Sequence, residues 1–109
     1  MKIPMRGALR TRLVLEAPQD LADDIGGTTR SFVPVTSVWA AIEPLSAARV
    51  WQAQQAEQEI SHRITLIYRA DVTADMRLRL GARIFEIRSA YDLDETRRFS
   101  SLDCWEVRP

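Results

Sequence analysis

The fold is decided by residues 35–69, which run VTSVWAAIEPL (35–45), SAARVWQAQQAE (46–57) and QEISHRITLIYR (58–69). The first run is rich in Val, Trp and Ile and ends near Pro44, which cannot donate to a sheet ladder, so it predicts a strand. The last run alternates apolar with polar residues and predicts a strand with one buried face. The middle run contains no glycine or proline and predicts a helix.

The predicted helix has a natural start at Ser46, whose hydroxyl can accept a hydrogen bond from a free backbone N–H of the first turn. Ala47, Val50 and Trp51 share one helical face by their spacing. We therefore expect this helix to pack across or beside the sheet, with Trp39 or Trp51 substantially buried.

Further strands are predicted on both sides of this unit. Leucines alternate with arginines over residues 9–15 and predict a first strand that Pro18 ends. Residues 76–80 and 84–91 alternate in the same way around a Gly-Ala turn and predict a hairpin. Residues 99–107 predict a last strand.

Together these elements predict a mainly β fold with a minor helical part. We expect a small antiparallel β-barrel or sandwich of about six strands with one short α-helix. Residues 1–109 are expected to form a single domain, because a chain of this length builds one core. Residues 1–7 show no clear period and are predicted to be a flexible arm.

Residues 17–33 form a stretch that is first acidic, then glycine-rich, then rich in hydroxyl groups. The pattern predicts a long surface loop or a wide hairpin tip. A loop of this length in a small domain is usually functional or disordered, and we favour a functional one. Its charged and glycine residues are Asp20, Asp23, Asp24, Gly26, Gly27 and Arg30.

Composition limits the class of protein. The formal net charge is +0, so the overall charge demands neither a nucleic acid nor a membrane as partner. Lys2 is the only lysine among 15 basic residues, which leaves arginine as the main donor for paired contacts. Cys104 is the single cysteine, so a reducing compartment is the default expectation. No apolar run approaches the length that spans a bilayer.

Residues that could carry chemistry are scarce. His62 is the only histidine, and its place on the apolar side of a strand favours a packed, hydrogen-bonded core residue over a catalytic one. One histidine and one cysteine do not supply the four ligands of a zinc site. The acidic run around Asp94 lacks the remainder of a calcium loop. We predict no catalytic, cofactor-binding or metal-binding residues and no enzymatic activity.

Two classes of non-enzymatic function remain open. A small β-barrel with an arginine-bearing face could bind single-stranded nucleic acid, although the zero net charge and the 7% aromatic content count against it. The other class is an assembly subunit that contacts copies of itself and neighbouring rings. In either case the candidate interface residues are Arg63, Arg69, Arg77, Arg79 and Arg88.

The order of motifs along the chain resembles the head–tail joining, or head-closure, proteins of long-tailed phages. That family shows W-A-x-[IV]-x-P-L-S, matched at residues 39–46, and T-H-R-[IV]-T-[IV]-x-[YW]-R, matched at residues 61–69 except for Ser61 and Leu66. Its opening L-x-x-R-[IV]-x-[IL]-x-x-P is matched at residues 9–18 except for Leu13. Its D-x-x-G-G loop and its G-x-R-x-[FY]-x-I hairpin follow in the same order at residues 23–27 and 81–87.

The resemblance implies a structural virion protein at the head–tail junction, assembled in the host cytoplasm. Such a protein forms a homo-oligomeric ring beneath the portal and its adaptor, closes the channel after packaging, and meets the tail terminator or tail tube. Double-stranded DNA would pass through it transiently, with no membrane and no cofactor involved. The resemblance also admits a neighbouring adaptor or tail-terminator ring, in a phage, a prophage or a gene transfer agent. In a stopper ring, the loop with Asp20, Asp23 and Asp24 would reach the channel and gate it. The alternatives are a disordered outer loop and a loop that wraps the neighbouring subunit.

Overall fold

Six antiparallel strands close into a barrel in the order β1-β2-β3-β6-β5-β4 in the computed structural model, which describes residues 8–57 and 59–107. The prediction of a small antiparallel β-barrel with one short helix is confirmed. The predicted flexible arm over residues 1–7 lies outside the described residues. In chain order the elements are β1 (Thr11–Ala22), β2 (Thr28–Pro44), α1 (Ala47–Gln55), β3 (His62–Ile67), β4 (Arg77–Leu80), β5 (Arg83–Asp92), a 3₁₀ turn (Leu93–Glu95) and β6 (Phe99–Val107).

The interior of the barrel is filled by alternate residues of its strands, as the sequence pattern requires. Every one of the six strands contributes at least one apolar side chain to it. The most deeply buried of these side chains are Leu13, Leu15, Ile64, Leu66, Leu78, Phe85, Ile87, Leu102 and Cys104. A second, smaller cluster covers part of the outer surface and consists of Leu9, Leu93 and Phe99 with Ala41 packed against them.

The helix forms where the sequence predicts it but does not pack as expected. Ser46 caps it, with its Oγ accepting from the Arg49 backbone N–H at 3.3 Å. None of its residues is buried, and Trp51 is 61% exposed. Trp39 is 55% exposed because it neighbours the inward-facing Ala40 and therefore points outward. The predicted burial of Trp39 or Trp51 is wrong, since the closed barrel already fills its own interior.

The predicted long loop over residues 17–33 is also wrong in extent. β1 runs through Pro18 to Ala22, and β2 begins at Thr28, so the segment is a β-hairpin with a short turn. Proline is tolerated there because β1 pairs with β4 only as far as Glu16, so no strand of the described residues lies along the outer edge of Pro18. Of the two alternatives drawn from the sequence, the hairpin is the one that the structure contains.

Candidate assembly surfaces

The most distinctive feature of the molecule is a two-stranded arm, residues 17–33, that extends beyond the barrel. β2 pairs with β3 only over residues 40–44, and β1 pairs with β4 only over residues 14–16. Within the described part of the chain, the two strands of the arm pair only with each other from Ala17↔Val33 to Ala22↔Thr28. At about 3.4 Å per residue, this paired part is roughly 20 Å long.

The tip of the arm is an ordered turn built around Asp23. Its Oδ1 accepts from the backbone N–H of Ile25 at 3.0 Å and of Gly27 at 2.8 Å. Gly26 has a φ of +85°, which favours glycine, and a Cβ on Gly27 would lie 2.9 Å from the Asp23 Oδ2. Asp23 and the two glycines therefore hold one defined turn conformation.

The remaining charged residues of the arm have different surroundings. Asp20 faces Arg30 across the hairpin, and its Oδ1 lies 3.1 Å from the arginine Nε. Asp24 takes part in no hydrogen bond or ion pair within the described ranges. Beside it, Ile25 is 92% exposed, and Leu21 on the same arm is about half exposed. The tip thus presents an acidic side chain next to apolar ones.

The base of the arm is attached to the barrel through a buried carboxylate that the sequence analysis did not single out. Glu16 is 2% exposed, and its Oε1 and Oε2 lie 2.6 Å from the Arg77 Nε and the Arg79 Nη2, respectively. The Arg77 guanidinium also lies 4.0 Å from the ring centroid of Phe32, on the second strand of the arm. Finding this site from sequence would have required knowing that β1 pairs with β4.

The predicted interface arginines do not share one face. Arg63 lies on β3 and Arg77 on β4, and the strand order places these two strands on opposite sides of the six-stranded ring. Each of the five arginines also has an acidic partner in its own chain. These pairs are Arg63–Asp103, Arg69–Asp71, Arg77–Glu16, Arg79–Glu16 and Arg88–Glu86.

A second exposed apolar surface lies on the outer wall of the barrel. Trp39 is paired with Arg12 across β1 and β2. The β2–β3 register places Ile67 one step beyond the last pair, Ala40↔Leu66, and so beside Trp39. Arg12 is exposed and forms no ion pair with any residue that the structure describes. We call Arg12, Trp39 and Ile67 the wall patch.

His62 is hydrogen-bonded and packed as predicted, but it is partly buried at the border of the core and not within it. Its Nδ1 lies 2.9 Å from the Ser61 Oγ, which itself accepts from the Glu106 backbone N–H. The imidazole meets the Phe85 ring edge-on at 5.2 Å between centroids. Burial lowers the pKa of His62, while the Glu106 carboxylate, with Oε1 3.8 Å from Nε2, opposes that shift.

The remaining titratable groups suggest no catalytic arrangement. Burial raises the pKa of the Cys104 thiol, which keeps it protonated. Arg83 forms a bidentate pair with Glu106 at 2.9 Å, and this hydrogen bonding raises the pKa of Arg83. Among the residues described, no three His, Cys, Asp or Glu side chains are grouped so as to hold a metal ion. Nor does any described helix have the length and apolar character to cross a membrane.

One cleft has a volume of about 460 Å³ and is lined by Glu57, Glu59, Ile60, Arg88 and Ser89. It is open and contains the Arg88–Glu59 pair at 3.8 Å. No nucleophile beside a base is found among these lining residues, so the cleft offers no catalytic set.

A family model described as "phage head completion protein" matches residues 4–107. The chain is similar to the solution structure of protein SF1141 from Shigella flexneri 2a, with 20% identity and a TM-score of 0.74 over 93% of this chain and 95% of that one. It is also similar to a chain of the virion of a native gene transfer agent particle, with 22% identity and a TM-score of 0.63 over 91% and 96%. These two likenesses show a shared fold, and no curated protein sequence matches the chain.

Proposed function

Because the chain belongs to the phage head completion protein family, we propose that it completes the head as one subunit of a ring below the portal or its adaptor. The family role is structural, so the chain is a virion component. The ring would close the DNA channel after packaging and provide the surface on which the tail terminator or tail tube docks. Its place would be the head–tail junction, after assembly in the host cytoplasm.

The observation that carries this proposal is the ordered arm leaving a closed barrel. A ring requires two different surfaces on each subunit, because one patch of a copy must meet another patch of the next. The barrel provides a rigid body without open edges, and the arm provides a projection of roughly 20 Å. The net charge of +0 suits a surface that pairs with copies of itself.

The assignment of the arm as the gate of the channel stays a prediction. The arm carries three negative charges, at Asp20, Asp23 and Asp24, and one positive charge, at Arg30. This excess of negative charge would repel DNA phosphates. Against a gate stand the fixed turn at Gly26 and the exposed apolar residues near it. The single domain over residues 1–109 and the interface role of the five arginines are likewise proposals.

Removal of the gene from a producing strain tests the proposed role. We expect heads that package DNA, lose it and carry no tails, and purified chain added to such extracts should restore tail joining. A matched control is the same chain carrying Phe85→Ala, which removes the largest fully buried side chain of the barrel. Heads that keep DNA and join tails without the chain would contradict a head-completion role.

The particles made by the same gene-deletion strain distinguish the proposed role from the alternative functions. A neighbouring adaptor or terminator ring would leave a different intermediate, either portals that lack an adaptor or free tails of irregular length. Binding of single-stranded oligonucleotides should be weak, because the five arginines named above already have acidic partners. Tight binding that falls steeply with salt would favour the nucleic-acid alternative.

A further inference from the structure

Two exposed surfaces of this chain complement each other in charge and in apolar character. The tip patch consists of Leu21, Asp24 and Ile25, and the wall patch consists of Arg12, Trp39 and Ile67. Asp24 and Arg12 carry opposite charges, and neither has an ion-pair partner among residues 8–57 and 59–107. Each charge lies beside a large apolar side chain that solvent reaches. A surface of this kind is typical of a protein interface.

The two patches cannot meet within one chain. Arg12 and Leu21 lie on the same strand, nine residues apart, which corresponds to about 30 Å. The odd spacing also places their side chains on opposite faces of β1. The hairpin is held in register along this length and at its base by Glu16, so it does not fold back on its own wall. Among the described residues, each patch therefore finds its complement only on another molecule.

We propose that the tip patch of one copy docks on the wall patch of the next copy. Ile25 would pack against Trp39 and Ile67, and Asp24 would pair with Arg12. Because the two patches differ, the contact is heterologous and repeats from copy to copy, and it closes into a ring where the rotation allows. This inference rests on the proposed function, since the ring is the assembly that the contact would build.

A second copy is favoured over DNA as the occupant. A surface along which DNA slides should be hydrophilic, whereas the tip exposes Ile25 almost completely. The acidic side chain at the tip also repels phosphate but attracts the arginine of the wall patch. With three residues on each side the contact is small, so single pairs of free copies should associate weakly and a closed ring should be held by many such contacts together.

Thiol cross-linking of mixed full-length variants tests the contact. Ile25→Cys and Trp39→Cys proteins are mixed at high concentration and oxidised mildly, and Ala82→Cys, in the exposed β4–β5 turn, replaces Trp39→Cys as the control. Cys104 is buried and remains protonated, so it does not compete. We expect the Ile25–Trp39 disulfide to exceed the Ile25–Ala82 disulfide several-fold. Equal yields would overturn the proposal.

Charge exchange in the same cross-linking variants tests the pairing of Asp24 with Arg12. In the cross-linking variants, Asp24→Arg alone or Arg12→Asp alone should lower the yield by about two- to five-fold, as expected for an exposed ion pair. Asp24→Arg in one partner combined with Arg12→Asp in the other should restore it. A combination no better than the single changes would overturn the pairing of the two charges.

Failure of the proposed contact between copies can be distinguished from failure of the proposed head-completion role. Failure of both cross-linking arms, with particles that still need the chain for tail joining, would remove this contact and leave the head-completion role intact. Cross-linking that succeeds, with tails joined normally in the absence of the chain, would instead remove the head-completion role and retain the contact.

Discussion

Glu16 lies directly across from Arg77 where β1 meets β4, and its Oε1 is 2.6 Å from the Arg77 Nε. Its second oxygen is held at the same distance by Arg79, so one buried carboxylate joins the arm to the outer face of β4. Phe32 covers this pair from the second strand of the arm. The base of the arm is therefore held by a charged contact in addition to the packing of Ala17 against the apolar core.

Replacement of Glu16 by Gln should destabilise the protein. The change keeps the shape of the side chain but removes the charge that two arginines share. We expect the free energy of unfolding in urea to fall by about 1–3 kcal/mol, toward the low end because Arg79 still reaches water. Glu86→Gln is the matched control, since the Glu86–Arg88 pair is exposed, and it should cost less than about 1 kcal/mol. Similar losses in both variants would contradict the importance of burial at Glu16.

Replacement of Asp23 by Ala should loosen the tip of the arm without unfolding the barrel. The carboxylate accepts from the amides of Ile25 and Gly27, and both amides should exchange with solvent faster in the variant. The free energy of unfolding should change by no more than about 1 kcal/mol, because the turn is exposed. Asp24→Ala serves as the control and should leave both exchange rates unchanged. Equal acceleration in the two variants would show that the turn is not held by Asp23.

Replacement of Trp51 by Ala should have little effect on stability. Its side chain lies on a helix that buries none of its residues, so the free energy of unfolding should fall by less than about 1 kcal/mol. Phe85→Ala, at the centre of the barrel, should cost about 3–5 kcal/mol in the same urea titration followed by circular dichroism. A large loss for Trp51→Ala would mean that the helix packs on the barrel in solution.

The stability of the protein should fall as His62 is protonated. Burial lowers the pKa of the folded imidazole below its unfolded value near 6.5, so the unfolded chain binds the proton more readily. The stabilising contribution is therefore complete above that unfolded value and is lost as the pH falls toward the folded pKa. In urea titrations between about pH 5.5 and 7.5, His62→Gln should show a shallower dependence than the unsubstituted chain. A steeper dependence in the variant would reverse the assigned direction.

Local pattern predicted the fold well where a strand has one buried face. β6 begins and ends at the predicted residues, and Ser46 caps the helix as expected, because both depend on neighbours in sequence. Trp39 and Trp51 were misplaced because their environment depends on how the barrel closes. An apolar residue with a helical or strand period was assumed to face a core, although each of these two faces solvent.

The extent of the arm also could not be predicted from local sequence pattern. Pro18 and the paired glycines near residue 26 predict interruption of a strand, whereas only the turn itself is interrupted. The extent of the hairpin depends on cross-strand pairing, such as Asp20↔Arg30, between residues that no local pattern connects. Glu16 was missed for the same reason, since its partners lie in β4, more than 60 positions away.

The two prolines near the base of the arm have a consequence for solubility. Beyond the barrel, neither edge of the hairpin has a neighbouring strand among the residues that the structure describes. Unpaired edges of this kind promote the stacking of chains into insoluble aggregates. Pro18 lies on one edge of the hairpin and Pro34 on the other edge, two residue pairs apart. Neither proline has a backbone N–H that could donate to an incoming strand, so each hinders this stacking. An arm long enough to reach another molecule thus has backbone pairing limited on both edges near its base, which favours association through its side chains.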